Sequence, residues 1–155
     1  MFKSLKYIFI FLTLIISSCS VDKTKISMIH TFPGDIWNAF NEVELSATIK
    51  DKENPYQIVV EVELTDEFTE REFSFGFTQT DEDGESRYSY HSMDIRDNKL
   101  KMIEKKKGEF FVYRLVIKNK TYFNSLGKYN FSLESVMGKV KVNGIQQLSL
   151  EIIQL

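Results

Sequence analysis

Val43-Glu44-Leu45-Ser46-Ala47-Thr48-Ile49-Lys50 sets an apolar or small residue at every second position and a polar one between. That is the period of a strand with one face buried and the other in water. A helix would repeat its apolar residues at three and four. The same period returns downstream. Ile58, Val60, Val62 and Leu64 are offset by Val59, Glu61 and Glu63, and Phe73, Phe75 and Phe77 alternate with Ser74, Gly76 and Thr78. Asp51-Lys52-Glu53-Asn54-Pro55 and Asp81-Glu82-Asp83-Gly84 have turn compositions and separate these runs from the segments after them. Further strands are expected at Arg87–Ile95, Phe110–Lys118, Tyr129–Val136 and Leu148–Ile153, with the Lys-rich Asn98–Gly108 and Asn119–Gly127 between them. Pro33–Phe40 reads as one helical turn or a loop, and Met137–Asn143 as a bulge or an edge-strand turn. Strands at this spacing without an amphipathic helix predict an all-β chain: an antiparallel β-sandwich, jelly-roll or immunoglobulin-like.

The front of the chain is of another kind. Lys3 and Lys6 precede an apolar run from Tyr7 to Ile16 broken only by Thr13, and Ser17-Ser18 lead to Cys19. A basic start, a short apolar stretch and small residues before a cut site describe a secretory signal peptide, and the run is short for a membrane span. Ile16-Ser17-Ser18-Cys19 resembles a bacterial lipobox, in which a thiol takes up diacylglycerol before the peptidase cuts in front of it. Cleavage is therefore expected between Ser18 and Cys19, with Cys19 the lipidation site. Cys19 is the only cysteine, so no disulfide framework is available and the fold must rest on its apolar core. The chain divides into a signal peptide (1–18), a lipidated cysteine and tether (19–25) and one β-sandwich domain (26–155), single-domain in size.

The whole chain carries a net charge of −2, and losing Lys3 and Lys6 with the signal makes the mature form two charges more acidic. No basic stripe invites nucleic acid. Chemistry is sparse. His30 and His91 are far apart and lack the short ligand spacing of a zinc site, so they read as strand or surface histidines. There is no Gly-x-Ser-x-Gly elbow, no phosphate-binding glycine loop, and an acylated Cys19 could not be a nucleophile. Asp81-Glu82-Asp83-Gly84-Glu85 begins like a calcium loop, but the twelfth position is Ser92 instead of a glutamate, and a hairpin turn with Gly84 at positive φ explains it more simply. Glu104-Lys105-Lys106-Lys107 reads as a solvated loop, with a salt-sensitive contact to anionic polymer as the lesser alternative. Trp37, Phe40, Tyr88, Tyr90, Phe111 and Tyr113 are expected mainly in the core; exposed, they would suit sugar stacking or a protein interface. No catalytic residue, metal site, cofactor or small-molecule substrate is expected.

At the C-terminus, Gly127-Lys128-Tyr129-Asn130-Phe131, Glu134-Ser135-Val136-Met137, Val142-Asn143-Gly144-Ile145 and Leu148-Ser149-Leu150-Glu151-Ile152 together resemble the GldH family of Bacteroidetes gliding-motility lipoproteins. The front agrees: a lipobox cysteine, Phe32 near Trp37, then Phe40, and Asn54-Pro55-Tyr56 opening a strand. Gly138 departs from the pattern, standing where the family has arginine. The resemblance implies a non-enzymatic accessory or scaffolding lipoprotein of the gliding-motility and associated secretion machinery. It would be anchored by lipid to the outer membrane and would contact other envelope or motility proteins. The alternative is a surface lipoprotein with a carbohydrate-binding sandwich, which exposed aromatics beside Asp or Asn would favour. Met137, Gly138, Val140, Val142, Gly144 and Ile145 lie where the resemblance is densest and alternation is poor, so they form the candidate protein interface; shaping a hairpin into the last strand is the simpler alternative.

Overall fold

The computed structural model describes residues 24–155. The expected signal peptide, Ser18, Cys19 and most of the tether lie outside the described residues. In chain order the elements are β1 (Lys25–Thr31), a 3₁₀ turn (Pro33–Asp35), β2 (Ile36–Asn38), β3 (Val43–Ile49), β4 (Tyr56–Leu64), β5 (Glu72–Thr80), β6 (Ser86–Asp94), β7 (Lys106–Lys107), β8 (Phe110–Thr121), β9 (Gly127–Ser135), β10 (Lys141–Asn143) and β11 (Ile145–Gln154). There is no α-helix among the described residues. The all-β expectation holds.

Two antiparallel sheets face each other. One has the order β1-β11-β4-β8-β7, the other β3-β9-β5-β6, and a small ribbon pairs β10 with β2. Register explains the core. Ile58, Val60 and Val62 of β4 lie opposite Ile152, Leu150 and Leu148 of β11, so one face of the first sheet is aliphatic. It meets Phe73, Phe75 and Phe77 of β5 and Tyr129, Phe131 and Leu133 of β9, all buried in the same cluster. Phe77 stacks on Phe131 with ring centroids 6.0 Å apart. Each such side chain contributes about 1.5–3 kcal/mol by leaving water, which is how a disulfide-free domain holds.

Two connecting segments resolve differently from the sequence reading. Pro33–Phe40 supplies the turn expected, but then continues into β2. Met137–Asn143 ends in β10, whose Val142 lies opposite Trp37. Trp37 is fully buried, 5.2 Å from Phe32, and its indole N–H donates to the Asn41 carbonyl at 2.9 Å. The Lys-rich segment also holds structure, since β7 folds back on Phe110–Phe111.

Because the sheet pairings are antiparallel, connections gather at two ends. At the basal end, where the described chain begins, Lys25 lies opposite Ile153, Tyr56 opposite Thr121 and Ile49 opposite Gly127. Residues 50–55, 81–85 and 122–126 close this end. At the distal end, Thr31 lies opposite Gln147, Leu64 opposite Phe111 and Val43 opposite Leu133. Residues 32–42, 65–71, 95–109 and 136–144 close that one.

On the outer face of the five-stranded sheet four charged side chains pair with one another. Glu151 is buried among its neighbours, with Lys25 at 2.6 Å and Arg114 also paired to it; Arg114 reaches Glu61 at 3.2 Å. Burial alone would raise the Glu151 pKa, but the hydrogen bonds from Lys25 and Arg114 outweigh it and hold the carboxyl below its usual range.

Candidate interaction surface at the distal end

The six residues singled out at 137–145 separate into two groups. Val140 is 56% exposed and Gly138 lies at the surface, while Met137 is half-buried against the core. Val142 is only 2% exposed, and Ile145 is fully buried. Gly144 is buried too, at φ +81, and a Cβ there would lie 2.1 Å from the Phe68 backbone nitrogen. Residues 65–68 press against this glycine, and the Thr65 N–H donates to its carbonyl at 2.9 Å. The reading of Val142, Gly144 and Ile145 as contact residues is therefore corrected. Pairing with β2 turns Val142 inward beside Trp37, and close backbone approach fixes Gly144 and Ile145 in the interior.

What remains exposed gains a neighbour that sequence spacing could not supply. The Ala39 N–H donates to the Val140 carbonyl at 2.9 Å, which joins the segment carrying Phe40 to the one carrying Val140. Phe40 is 79% exposed. Leu100 and Ile103 project from the loop at 95–109, Leu100 with a positive φ of 61°, and Ile36 and Val136 complete the exposed aliphatic set of this end. A cavity of about 430 Å³ opens beside it, walled by Phe32, Trp37, Asn38 and Asn41. Ion pairs tie the loops around the patch: Lys139 with Glu70, and Lys106 with Asp66. The bond from Lys139 holds the Glu70 carboxyl below its ordinary range. Exposed apolar residues gathered at one end of a domain among charged loops are the kind of surface that protein contacts use.

The remaining candidates divide between core and surface. Trp37 and Tyr113 are core and Phe111 is half-buried, whereas Phe40, Tyr88 and Tyr90 are exposed, against the expectation that the aromatics lie mainly inside. His91 stacks on Phe75 at 5.5 Å with its Nε2 2.8 Å from the Ser89 hydroxyl; burial, then Lys118, lowers its pKa. His30 packs edge-on against Phe32 at 4.7 Å. Residues 81–85 form the expected hairpin turn: Asp81 Oδ1 accepts the Glu85 N–H at 2.8 Å and Gly84 has φ +85. Among the described residues no group of three His, Cys, Asp or Glu is placed to hold a metal ion. Of the lysine cluster, Lys106 is spent on Asp66 and on the Phe111 ring, 5.2 Å away.

Fold and surface define a single antiparallel sandwich domain with exposed apolar residues at its distal end, Phe40 the most exposed of them. The GldH lipoprotein family model matches residues 25–152, nearly the whole of that domain. The chain belongs to the GldH lipoprotein family. None of the curated proteins matches it. Among solved structures, the dimeric latent PorU from Porphyromonas gingivalis is similar over 86% of this chain and 13% of its own, at 10% identity and a TM-score of 0.40. The VP2 subviral particle of infectious bursal disease virus is similar over 84% of this chain and 32% of its own, at 9% identity and a TM-score of 0.35. Likenesses this loose carry no argument about function.

Proposed function

We propose that this lipoprotein is a non-enzymatic accessory or scaffolding component of the gliding-motility and associated secretion machinery, docking other envelope proteins through its distal end. Lipid on Cys19 anchors it to the outer membrane. The observation that carries the reading is the exposure of Phe40 and Val140, 79% and 56%, on two segments joined by the Ala39–Val140 backbone bond at the end opposite the start of β1. A tether of a few residues spans no more than about 3.5 Å each. The basal end therefore sits close to the membrane. Along β4, nine residues at about 3.3 Å each put the distal end roughly 30 Å further out, within reach of partners.

The test replaces both exposed residues, Phe40→Asp with Val140→Asp, in the full-length lipoprotein in its host. Both side chains already face water, so accumulation and melting should match the wild type. Loss of gliding and of co-purifying envelope proteins supports the contact. Normal gliding with the same partners recovered overturns it.

A further inference from the structure

The outer face of the four-stranded sheet carries a tyrosine held across its neighbouring strand. Tyr88 and Tyr90 stand on β6, the edge of that sheet, 58% and 59% exposed. Opposite them β5 presents Thr78 and Gly76, and β9 continues the two rows with Ser132 and Glu134. Gly76 is not at a positive φ, so its backbone does not require glycine. Space does: a Cβ there would lie 2.6 Å from the Tyr88 hydroxyl, 2.7 Å from its Cε2 and 2.7 Å from Glu134 Oε1. The ring therefore occupies the place of a residue-76 side chain and ends at the Glu134 carboxylate. Covering a cross-strand glycine steadies a sheet, which accounts for Tyr88 alone. Tyr90 stands out beside it.

Next to this platform the same face sinks into a depression of about 540 Å³ lined by Glu44, Ser46, Thr80, Lys128, Asn130 and Ser132. Its groups are hydroxyls, an amide and charges of both signs, which suits neither a polyanion nor a polycation. On the other sheet's outer face Lys25, Glu151, Arg114 and Glu61 pair with one another, so the two faces differ in kind. From β6 across to β3 is three strand spacings of about 4.8 Å, the length of roughly three sugar rings.

We propose that this face binds a neutral oligosaccharide. The electron-rich ring faces of Tyr88 and Tyr90 would stack on the C–H faces of the sugars, whose hydrogens carry partial positive charge. Ser132, Asn130, Ser46 and the carboxylates would take the sugar hydroxyls, a few placed polar groups fixing orientation as in other ligand sites. The site lies on a sheet face and stands independently of the distal contact.

The experiment is calorimetric titration of the full-length lipoprotein in detergent with the neutral hexasaccharides maltohexaose, cellohexaose and xylohexaose, and with hexagalacturonate as the charged counterpart. At least one neutral hexasaccharide should bind with a Kd below about 1 mM, and Tyr88→Ala or Tyr90→Ala should weaken it about tenfold. Gly76→Ala should weaken binding as well, because its Cβ evicts the ring while leaving every aromatic in the chain; Tyr88→Phe should retain most of it. The exposed Tyr90 covers no glycine, so its variant reads binding even if Tyr88→Ala loosens the sheet. The proposal is overturned if no neutral hexasaccharide binds, if hexagalacturonate alone binds, or if Tyr90→Ala binds like the wild type. Loss of a co-purifying protein from the tyrosine variants without any sugar binding also overturns it, and makes the face a protein contact.

Discussion

At the basal end one carboxylate organises a whole loop, while at the distal end no single group does so for the loops around Phe40. Asp51 accepts hydrogen bonds from the Glu53 N–H at 2.8 Å, the Asn54 side-chain amide at 2.7 Å and the Gln154 amide at 2.7 Å, and its carbonyl takes the Tyr56 hydroxyl at 2.7 Å. Nearby, the Tyr129 hydroxyl accepts the Ser125 N–H at 3.1 Å, and Asp81 closes its own hairpin. The distal end has one such turn, where Asp97 takes the Lys99 and Lys101 N–H groups, and its longer loops are joined to one another by backbone bonds, Ala39 to Val140, Thr65 to Gly144 and Ile95 to Arg71, and by the ion pairs Lys139–Glu70 and Lys106–Asp66. Surface pairs of that kind contribute from nothing to about 1 kcal/mol each. Both ends expose some apolar residues, the basal end Tyr122, Leu126 and Leu155, yet none stands as far out as Phe40. A loop bonded to itself is finished. The distal end keeps Phe40, the most exposed large apolar side chain among the described residues, in water.

The largest expected effect removes the basal anchor. Cys19→Ala should abolish incorporation of labelled fatty acid and move the protein from the membrane pellet to the soluble fraction; labelling that persists would leave the basal end without its proposed role. Next comes a contrast within the distal stretch. Gly144→Ala forces a Cβ into the Phe68 backbone and should destabilise by about 2–4 kcal/mol in denaturant unfolding. Gly138→Ala, at φ +71 with open space around it, should cost only about 1 kcal/mol. Equal costs would mean that the two glycines are not divided between interior and surface. Phe40→Ser combined with Val140→Ser should shift stability by no more than about 0.5 kcal/mol, as surface substitutions do. A drop of several degrees in Tm would show the patch to be part of the fold and not a free surface.

The smallest effect is local and at the basal end. The Asn54 amide first, then the Glu53 N–H, holds the Asp51 carboxyl below its ordinary 3.8. A depressed folded pKa stabilises above the unfolded value, and that contribution fades as pH falls through the lower folded value. Carboxyl NMR titration should therefore place the Asp51 midpoint below 3.8, and Asn54→Ala should raise it. A midpoint at or above the ordinary value would remove Asp51 as the organiser of its loop.

Alternation made β3, β4 and β5 legible because each turns one apolar row inward and a more polar row outward. It could not orient β6, where Tyr88 and Tyr90 compete with His91 and Met93 for the core. Pairing decides: Met93 and His91 lie opposite Phe73 and Phe75, so the odd positions face inward and both tyrosines face out. The same limit hid Val142 and Ile145. Three residues of β10 carry no readable period, and only their partner β2, itself read as part of a turn or loop, sends Val142 to Trp37. Gly144 could be flagged as a close approach from the sequence, though not that the approaching backbone was residues 67–68. Phe40 was visible as an aromatic candidate; the bond from Ala39 to Val140, which joins its segment to residues 136–144, spans some hundred residues of chain.

The place of β11 between β1 and β4 has a consequence for how the domain comes into being. During synthesis β1 emerges first of the described strands and waits for all the others before its partner arrives. Until then the aliphatic row of β4 lacks the strand that lines one side of it. Contacts this distant along the chain slow folding, since a long loop must close before any of them forms. The first sheet is thus completed only when Leu148, Leu150 and Ile152 arrive, at which point both edges of β11 are paired together.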